Sequence, residues 1–519
     1  MKQTWNPECR IEIPFEISAE EIGLETGGAV IEEALFLRAG ETGPGVVVGQ
    51  PAPARTDHFC LLGRIRPHDP AAQDIHFAIG LPTVWNGKAM QTGGGGLDGY
   101  LPSTSGIGLH ADMPGEPDAL GRGYAVFGSD SGHVLDPAAP VDCAWGVNEE
   151  MLENFGWKAL KKVYDVAMRV IEAWYGRLPE KVYFSGGSNG GREALKILQK
   201  CPEDYDGAIV LFPVIRFLIQ MIAANETVKA LDRLGPEAEI SMEDAVKTMG
   251  VIRGILDGAD GLEDGIISCR KPSPAQERKI EEALGAFLNE KQIAFLRTLA
   301  ADFTMPYPVT AGGNTSFGFQ VLMGAEPRGQ ILGAKHEKDN YLSAVAKNMI
   351  SCFVLKDPEA DPLQLDFERD REAILRAVEI IQADDPDLDA WFARGGKMIL
   401  LQGNLDPLVP MNSTIRYAED LEKRYGPALK DHLAFYLIPG CGHGGGDAFH
   451  PYVPLMQHLE DWVEKGIRPE TILATDVNKA TFGRTRPLYE YPFIPVYGGS
   501  GDPDRAESFI PRNVTELSD

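Results

Sequence analysis

The sequence predicts an α/β fold: a mostly parallel sheet dressed with helices, interrupted by a long, mainly helical insertion. Three observations predict it. Strand and helix patterns alternate between Gly123 and Phe212. Long helical patterns with few strand signals then fill 214–390, and strand character returns at Lys397–Leu401 and Leu433–Ile438. The expected organisation is therefore a catalytic body in two parts, 1–213 and 391–519, with an inserted lid domain at 214–390.

Taken in order, residues 1–70 read as an irregular start followed by short strands, the clearest being Phe59–Leu62 and then Ile75–Leu81. Gly123–Phe127 is the next strand; it runs into Ser129-Asp130-Ser131-Gly132-His133, where the histidine reads as a structural hydrogen-bonding residue. Apolar residues at 160, 163, 164, 167, 170, 171 and 174 form a helical stripe that stops near Gly176. It leads into Lys181–Lys200, KVYFSGGSNGGREALKILQK: an apolar run, a glycine-rich bend around Ser188, and a helical pattern. In such a G-x-S-x-G bend the serine takes strained backbone angles, and the flanking glycines let strand and helix approach closely. That pattern makes Ser188 a candidate nucleophile. Cys201-Pro202 ends the helix, and Gly207–Phe212 is another short buried strand.

Upstream, Gln91–Gly99 carries four consecutive glycines. Its Gly94-x-Gly96-x-x-Gly99 spacing formally matches a dinucleotide fingerprint, but the following Tyr100-Leu101-Pro102-Ser103 is a poor helix start. The better use of such a run near a strand end is to present backbone N–H groups to a developing oxyanion. Gly94 is the expected donor there, beside the N–H of Asn189, the residue after the candidate nucleophile. Within the insertion the helical patterns are Ile215–Leu234, Met242–Leu256, Ser273–Ala301 and Glu368–Ala383. Between them Asp257-Gly258-Ala259-Asp260-Gly261-Leu262-Glu263-Asp264-Gly265-Ile266 reads either as a solvated acidic turn or as carboxylates wrapped round a hard cation.

Past the insertion, Asp406 and His443 each sit just beyond a strand's carboxyl end, where ligands bind in open α/β sheets. Each alone has an ordinary reading as a loop residue. The chain order Ser188, Asp406, His443 is the order of α/β-hydrolases and not of the other serine-protease-type folds. Ser188 is then the nucleophile, His443 the general base and acid, and Asp406 the group that orients the histidine. No organic cofactor is needed.

Lys and Arg number 49 against 76 Asp and Glu, a formal charge of −27. So acidic a chain repels nucleic acid and anionic membranes, so neither is an expected partner. No apolar run is long enough to span a bilayer, and the first residues lack the basic-then-apolar pattern of a secretory leader. Seven scattered cysteines without C-x-x-C spacing read as reduced thiols. The expected location is cytoplasmic.

With these motifs in place the sequence resembles the tannase and feruloyl esterase family, through WNGK…GGGG, GYAVFGSDSGH, FGWKAL, YFSGGSNGGREAL, RGGKMILLQGNLDPLVP, PGCGHGGG and RPLYEYP…GSGDP. The resemblance implies an α/β-hydrolase body with a large lid and a serine esterase acting on small aromatic esters. It also implies a structural calcium ion in the lid, held by the side chains of Asp257, Asp260 and Asp264 and the carbonyls of Leu262 and Ile266. Where the family has a cysteine before the nucleophile and its disulfide partner after the catalytic histidine, this chain has Gly187 and Gly444. The family's cysteine in RPLCPYP is Tyr489, and its C-terminal partner position carries Ile510. The paired loss fits a reducing compartment. The same triad also serves thioesters, lactones, amides, C–C bonds or acyl transfer, and a non-catalytic binding protein is the reading outside enzymology. Oligomeric state is not written in these motifs.

Overall fold

The computed structural model describes residues 8–47, 50–103, 113–325 and 340–514. They pack as two compact units. One is built from the residues before 104 with Pro114–Ile209 and Leu388–Gly396, the other from Val210–Asp387 and Lys397 onward.

In the first unit the strands Phe15–Ile17, Ala29–Leu37, His58–Ile65, Ile75–Pro82, Ala125–Ser129, Lys88–Thr92 and Lys181–Gly187 lie side by side in that spatial order. The first four pairings are antiparallel. The last two are parallel, which brings the carboxyl ends of Lys88–Thr92 and Lys181–Gly187 level, with Thr92 opposite Ser185. The glycine loop after Thr92 therefore leaves the sheet beside the serine bend, and Gly93 N–H donates to Ser185 O at 3.0 Å. The Ala29–Leu37 strand does not stand out in the sequence because its register shifts between Ile31 and Glu33. A bulge there turns two consecutive glutamates outward and breaks the period-two pattern.

The expected helical stripe is the helix Ala159–Tyr175, closed by Gly176 in the left-handed conformation at φ 77°. Its buried face runs through Leu160, Val163, Ala167, Val170, Ile171 and Trp174. Lys162 is buried on it as well, neutralised by Glu150 at 3.0 Å. A π-helical turn at Asn154–Lys158 precedes it, and turns of this kind cluster at functional sites. The elbow strand Lys181–Gly187 and elbow helix Asn189–Lys200 follow, and then the buried strand Gly207–Leu211.

The second unit is helical through Phe217–Leu234, Met242–Leu256, Tyr341–Met349 and Arg371–Ile381. The single helix expected over Ser273–Ala301 is two, Pro274–Gly285 and Glu290–Ala300. The break has a sequence signal: Asn289 caps the second helix and Gln292 completes a reciprocal capping box. After the helices, Lys397–Gly403 and Leu433–Ile438 pair in parallel, Met398 opposite Leu433 and Gly403 opposite Ile438. An antiparallel trio, Pro451–Tyr452, Thr471–Asp476 and Thr485–Tyr489, and a hairpin of Phe493–Tyr497 with Phe509–Asn513 complete the unit.

Among the described residues no helix is long and apolar enough to cross a membrane. All seven cysteines are free, six of them buried. Titration with a thiol reagent in denaturant, without reductant, is expected to find seven thiols per chain; a clear deficit means that pairs form in the purified protein.

Candidate active site

Ser188 sits between the elbow strand and helix at φ 59°, ψ −120°, a conformation that costs a non-glycine residue about 1–3 kcal/mol. The two glycines of the motif make it attainable. A side chain at Gly186 would run into the Gly190 backbone, and one at Gly190 would meet Gly94 O at 2.6 Å. Asn189 opens the helix, so its backbone N–H has no intrahelical acceptor and is a donor available to an anion.

The glycine loop lies against this helix start. The N–H of Gly94, the expected oxyanion donor, donates to Glu193 Oε2 at 3.0 Å. The following Gly95 N–H has no acceptor among the described residues. His133, expected to be structural, is fully buried, stacks on Trp145 at 3.9 Å, and donates from Nε2 to Leu97 O at 2.9 Å. Burial pushes its pKa down to about 4, so it holds the loop as a neutral ring.

In the second unit His443 Nδ1 donates to Asp406 Oδ2 at 2.8 Å. Asp406 is completely buried, and its Oδ1 accepts the N–H groups of Leu408 at 2.8 Å and Val409 at 2.9 Å. A carboxyl group so placed, accepting from Nδ1–H, goes with the tautomer that leaves His443 Nε2 as an acceptor. Phe212 packs its ring on the imidazole, centroids 4.6 Å apart. Its φ of 34° is rare for an aromatic residue. The two loops are clipped together by one segment: Asn404 Nδ2 donates to Ile267 O at 2.7 Å and Cys269 O at 3.2 Å, and Gly440 N–H donates to Ile267 O at 3.0 Å. Cys441, buried beside Asp406, has its thiol pushed far up by burial and is inert.

That clip is the continuation of the acidic loop. Asp257 Oδ1 accepts Gly265 N–H at 2.8 Å, Asp260 Oδ2 accepts the Ser268 hydroxyl at 2.6 Å, and Asp264 Oδ2 meets Arg486 at 2.5 Å. Burial pushes Asp260 up to about 6 and raises Asp257. The donors are all hard oxygens, the type calcium takes. Among the described residues, no three acidic, histidine or cysteine side chains group closely enough to constitute a metal site as they stand.

The sequence pattern of tannase and feruloyl esterase matches residues 60–511. The chain belongs to the tannase and feruloyl esterase family. It is 32% identical to an uncharacterized esterase of Agrobacterium fabrum (strain C58), over 96% of this chain and 92% of that protein. It is 29% identical to the mono(2-hydroxyethyl) terephthalate hydrolase of Piscinibacter sakaiensis, over 88% of this chain and 85% of that one. The crystal structure of feruloyl esterase B from Aspergillus oryzae superposes with a TM-score of 0.76, covering 95% of this chain and 98% of that one at 19% identity. At that identity the likeness speaks for the fold, which is that of the α/β-hydrolases. Family and relatives make the chain a carboxylic ester hydrolase.

Within this tannase and feruloyl esterase family member, Phe212 and Glu193 escape a reading by motif. Phe212 looks like the last residue of a buried strand, and only its backbone angle and its ring contact mark it. Glu193 looks like a polar residue on a helix, yet it is buried and bonded to the glycine loop. No spacing rule finds either. Phe212→Ala is expected to lower kcat about tenfold with KM changed less than about twofold, because a loosened imidazole loses alignment and not substrate affinity; steady-state kinetics on an aryl ester reads this, and an unchanged kcat means the ring does not hold His443.

Proposed function

We propose that the chain is a serine esterase acting through an acyl-enzyme, with Ser188 as nucleophile, His443 as general base and acid, and Asp406 as its orienting carboxylate. The observation that carries this is the buried Asp406 accepting His443 Nδ1–H at 2.8 Å. It leaves Nε2 to take the proton of a serine hydroxyl, and the elbow serine precedes the pair in the α/β-hydrolase order. Ser188 Oγ attacks the ester carbonyl as its proton passes to Nε2. The oxyanion is met by the Asn189 and Gly95 N–H groups. His443 returns the proton to the departing alcohol, and water, deprotonated by the same nitrogen, releases the acid.

The proposed substrates are small esters of aromatic acids. Support comes from a similar protein named for mono(2-hydroxyethyl) terephthalate hydrolysis and from the family, named for tannase and feruloyl esterase. A reducing compartment is also proposed, on the strength of seven free thiols and of glycine at both 187 and 444.

Calcium is proposed for the loop 257–266, with side-chain oxygens from Asp257, Asp260 and Asp264 and carbonyls from Leu262 and Ile266. Support comes from the hard-oxygen donor set and from four carboxylates in ten residues, Glu263 among them, with Arg486 the one basic side chain paired with the aspartates among the described residues. The ion would neutralise the loop, and this loop continues into the clip on Asn404 and Gly440.

Ser188→Ala is expected to lower hydrolysis of an aryl ester such as methyl ferulate by about 10³-fold or more, with an unchanged thermal midpoint; retained activity removes Ser188 from the reaction. Elemental analysis is expected to find about one calcium per chain, and chelation to lower both the thermal midpoint and kcat. A metal-free chain indifferent to chelator contradicts the calcium proposal and leaves the triad untouched.

A further inference from the structure

A closed set of polar side chains lies behind the serine bend, and the proposed chemistry does not use it. Glu193, on the elbow helix, is buried, and its Oε2 accepts Gly94 N–H at 3.0 Å. Asp98, at the end of the glycine loop, is equally buried and has φ 53°. Its Oδ1 accepts the Asn189 side-chain amide at 2.9 Å, and its Oδ2 accepts the Ser131 hydroxyl at 2.5 Å. Ser131, also at positive φ, lies 3.4 Å from Glu193 Oε1. The loop glycines are shaped to these acids: a side chain at Gly93 would meet Glu193 Oε2 at 2.8 Å, and one at Gly94 would meet Asp98 Oδ1 at 2.6 Å.

One carboxyl therefore grips the glycine loop and the other grips Asn189, the two segments whose backbone N–H groups form the proposed oxyanion hole. We propose that Asp98 and Glu193, sharing one proton, are a positioning brace that sets the spacing of the Asn189 and Gly95 donors. This rests on the serine-esterase reading above.

Burial and the balance of nearby charges bear on where the shared proton sits. Asp98 Oδ1 accepts from the Asn189 side-chain amide nitrogen, which can only donate, and its Oδ2 meets the Ser131 hydroxyl at 2.5 Å. Glu193 Oε1 lies 3.4 Å from the Ser131 hydroxyl, whose shorter bond goes to Asp98. Two negative carboxyls buried this deeply repel. Burial, and then the charge of Asp98, hold the Glu193 carboxyl well above the usual range. The cation nearby is Arg192, fully buried, bonded to Asn189 Oδ1 at 2.6 Å and to the carbonyls of Gly156 and Phe155 at 2.9 and 3.0 Å. These carbonyls belong to the π-helical turn, so that turn supports the brace through Arg192. One guanidinium balances one carboxylate, and the second acid stays neutral.

The test separates geometry from charge. Glu193→Gln keeps the bond to the loop, its carbonyl accepting from Gly94 N–H, and sets an amide NH₂ where Oε1 faces Ser131 and Asp98, without an ionisable proton. Glu193→Ala releases the loop. The expected result is kcat within about threefold of wild type for Glu193→Gln, and for Glu193→Ala a fall of about 10–100-fold in kcat with KM changed less than about threefold. Equal kcat in wild type and Glu193→Ala overturns the brace, as does equal loss in both variants. If Glu193→Ala does not fold, Ser131→Ala removes one bond to Asp98 and is expected to lower kcat about 3–10-fold at constant KM; an unchanged kcat overturns it too. Ser188→Ala, run beside them, distinguishes the failures: an active Ser188→Ala sinks the esterase mechanism itself, whereas a dead Ser188→Ala with unaffected Glu193→Ala sinks only the brace.

Discussion

A serine at φ 59°, ψ −120° persists only where its surroundings leave it no alternative. Here the restraint comes from both sides of the bend. Gly186 and Gly190 let strand and helix close to backbone contact, and the glycine loop then seals against Gly190. Behind the loop, Asp98 and Glu193 join it to the helix, and Arg192 joins the helix to the π-helical turn. Two further non-glycine residues of this region, Asp98 and Ser131, also hold positive φ. The strain is distributed over a buried hydrogen-bond network whose members are satisfied, which is the condition under which such a network rigidifies a site.

The histidine side is held by different means. Asp406 is locked by two backbone N–H groups, His443 is locked by Asp406 and by the ring of Phe212, and both loops are clipped to Ile267–Cys269. A disulfide between the positions of Gly187 and Gly444, which the family resemblance implies for relatives, would be a covalent restraint of about 2–4 kcal/mol. In this chain packing and hydrogen bonds carry that load. The acidic loop matters for the same reason: it sits at the root of the clip, so whatever neutralises it steadies the Asp406 and His443 loops.

Much of this was legible in the sequence. The elbow, the two later strands and the order of the three candidate residues follow from spacing, because a nucleophile elbow and a strand end demand particular residues at particular offsets. The Ala159–Tyr175 helix is legible from its stripe and its terminal glycine. The Ala29–Leu37 strand is hidden by its bulge, and the split at Asn289 is visible only to a reader who weighs a capping box above a continuous helical pattern. Which N–H groups of the glycine loop are engaged lies outside sequence reasoning: in a run of four identical residues, that of Gly93 goes to Ser185 O and that of Gly94 to a buried glutamate. Phe212 is hidden for a related reason, since its function lies in one backbone angle and one ring contact across the fold.

The central claim is that an activated Ser188 carries the ester hydrolysis. Titration with a fluorophosphonate, followed by peptide mass spectrometry and residual activity, tests it most directly. The account predicts one phosphonyl group per chain, on Ser188, with esterase activity falling in step with labelling. Full labelling of Ser188 with activity retained, or inactivation with Ser188 unmodified, would contradict it.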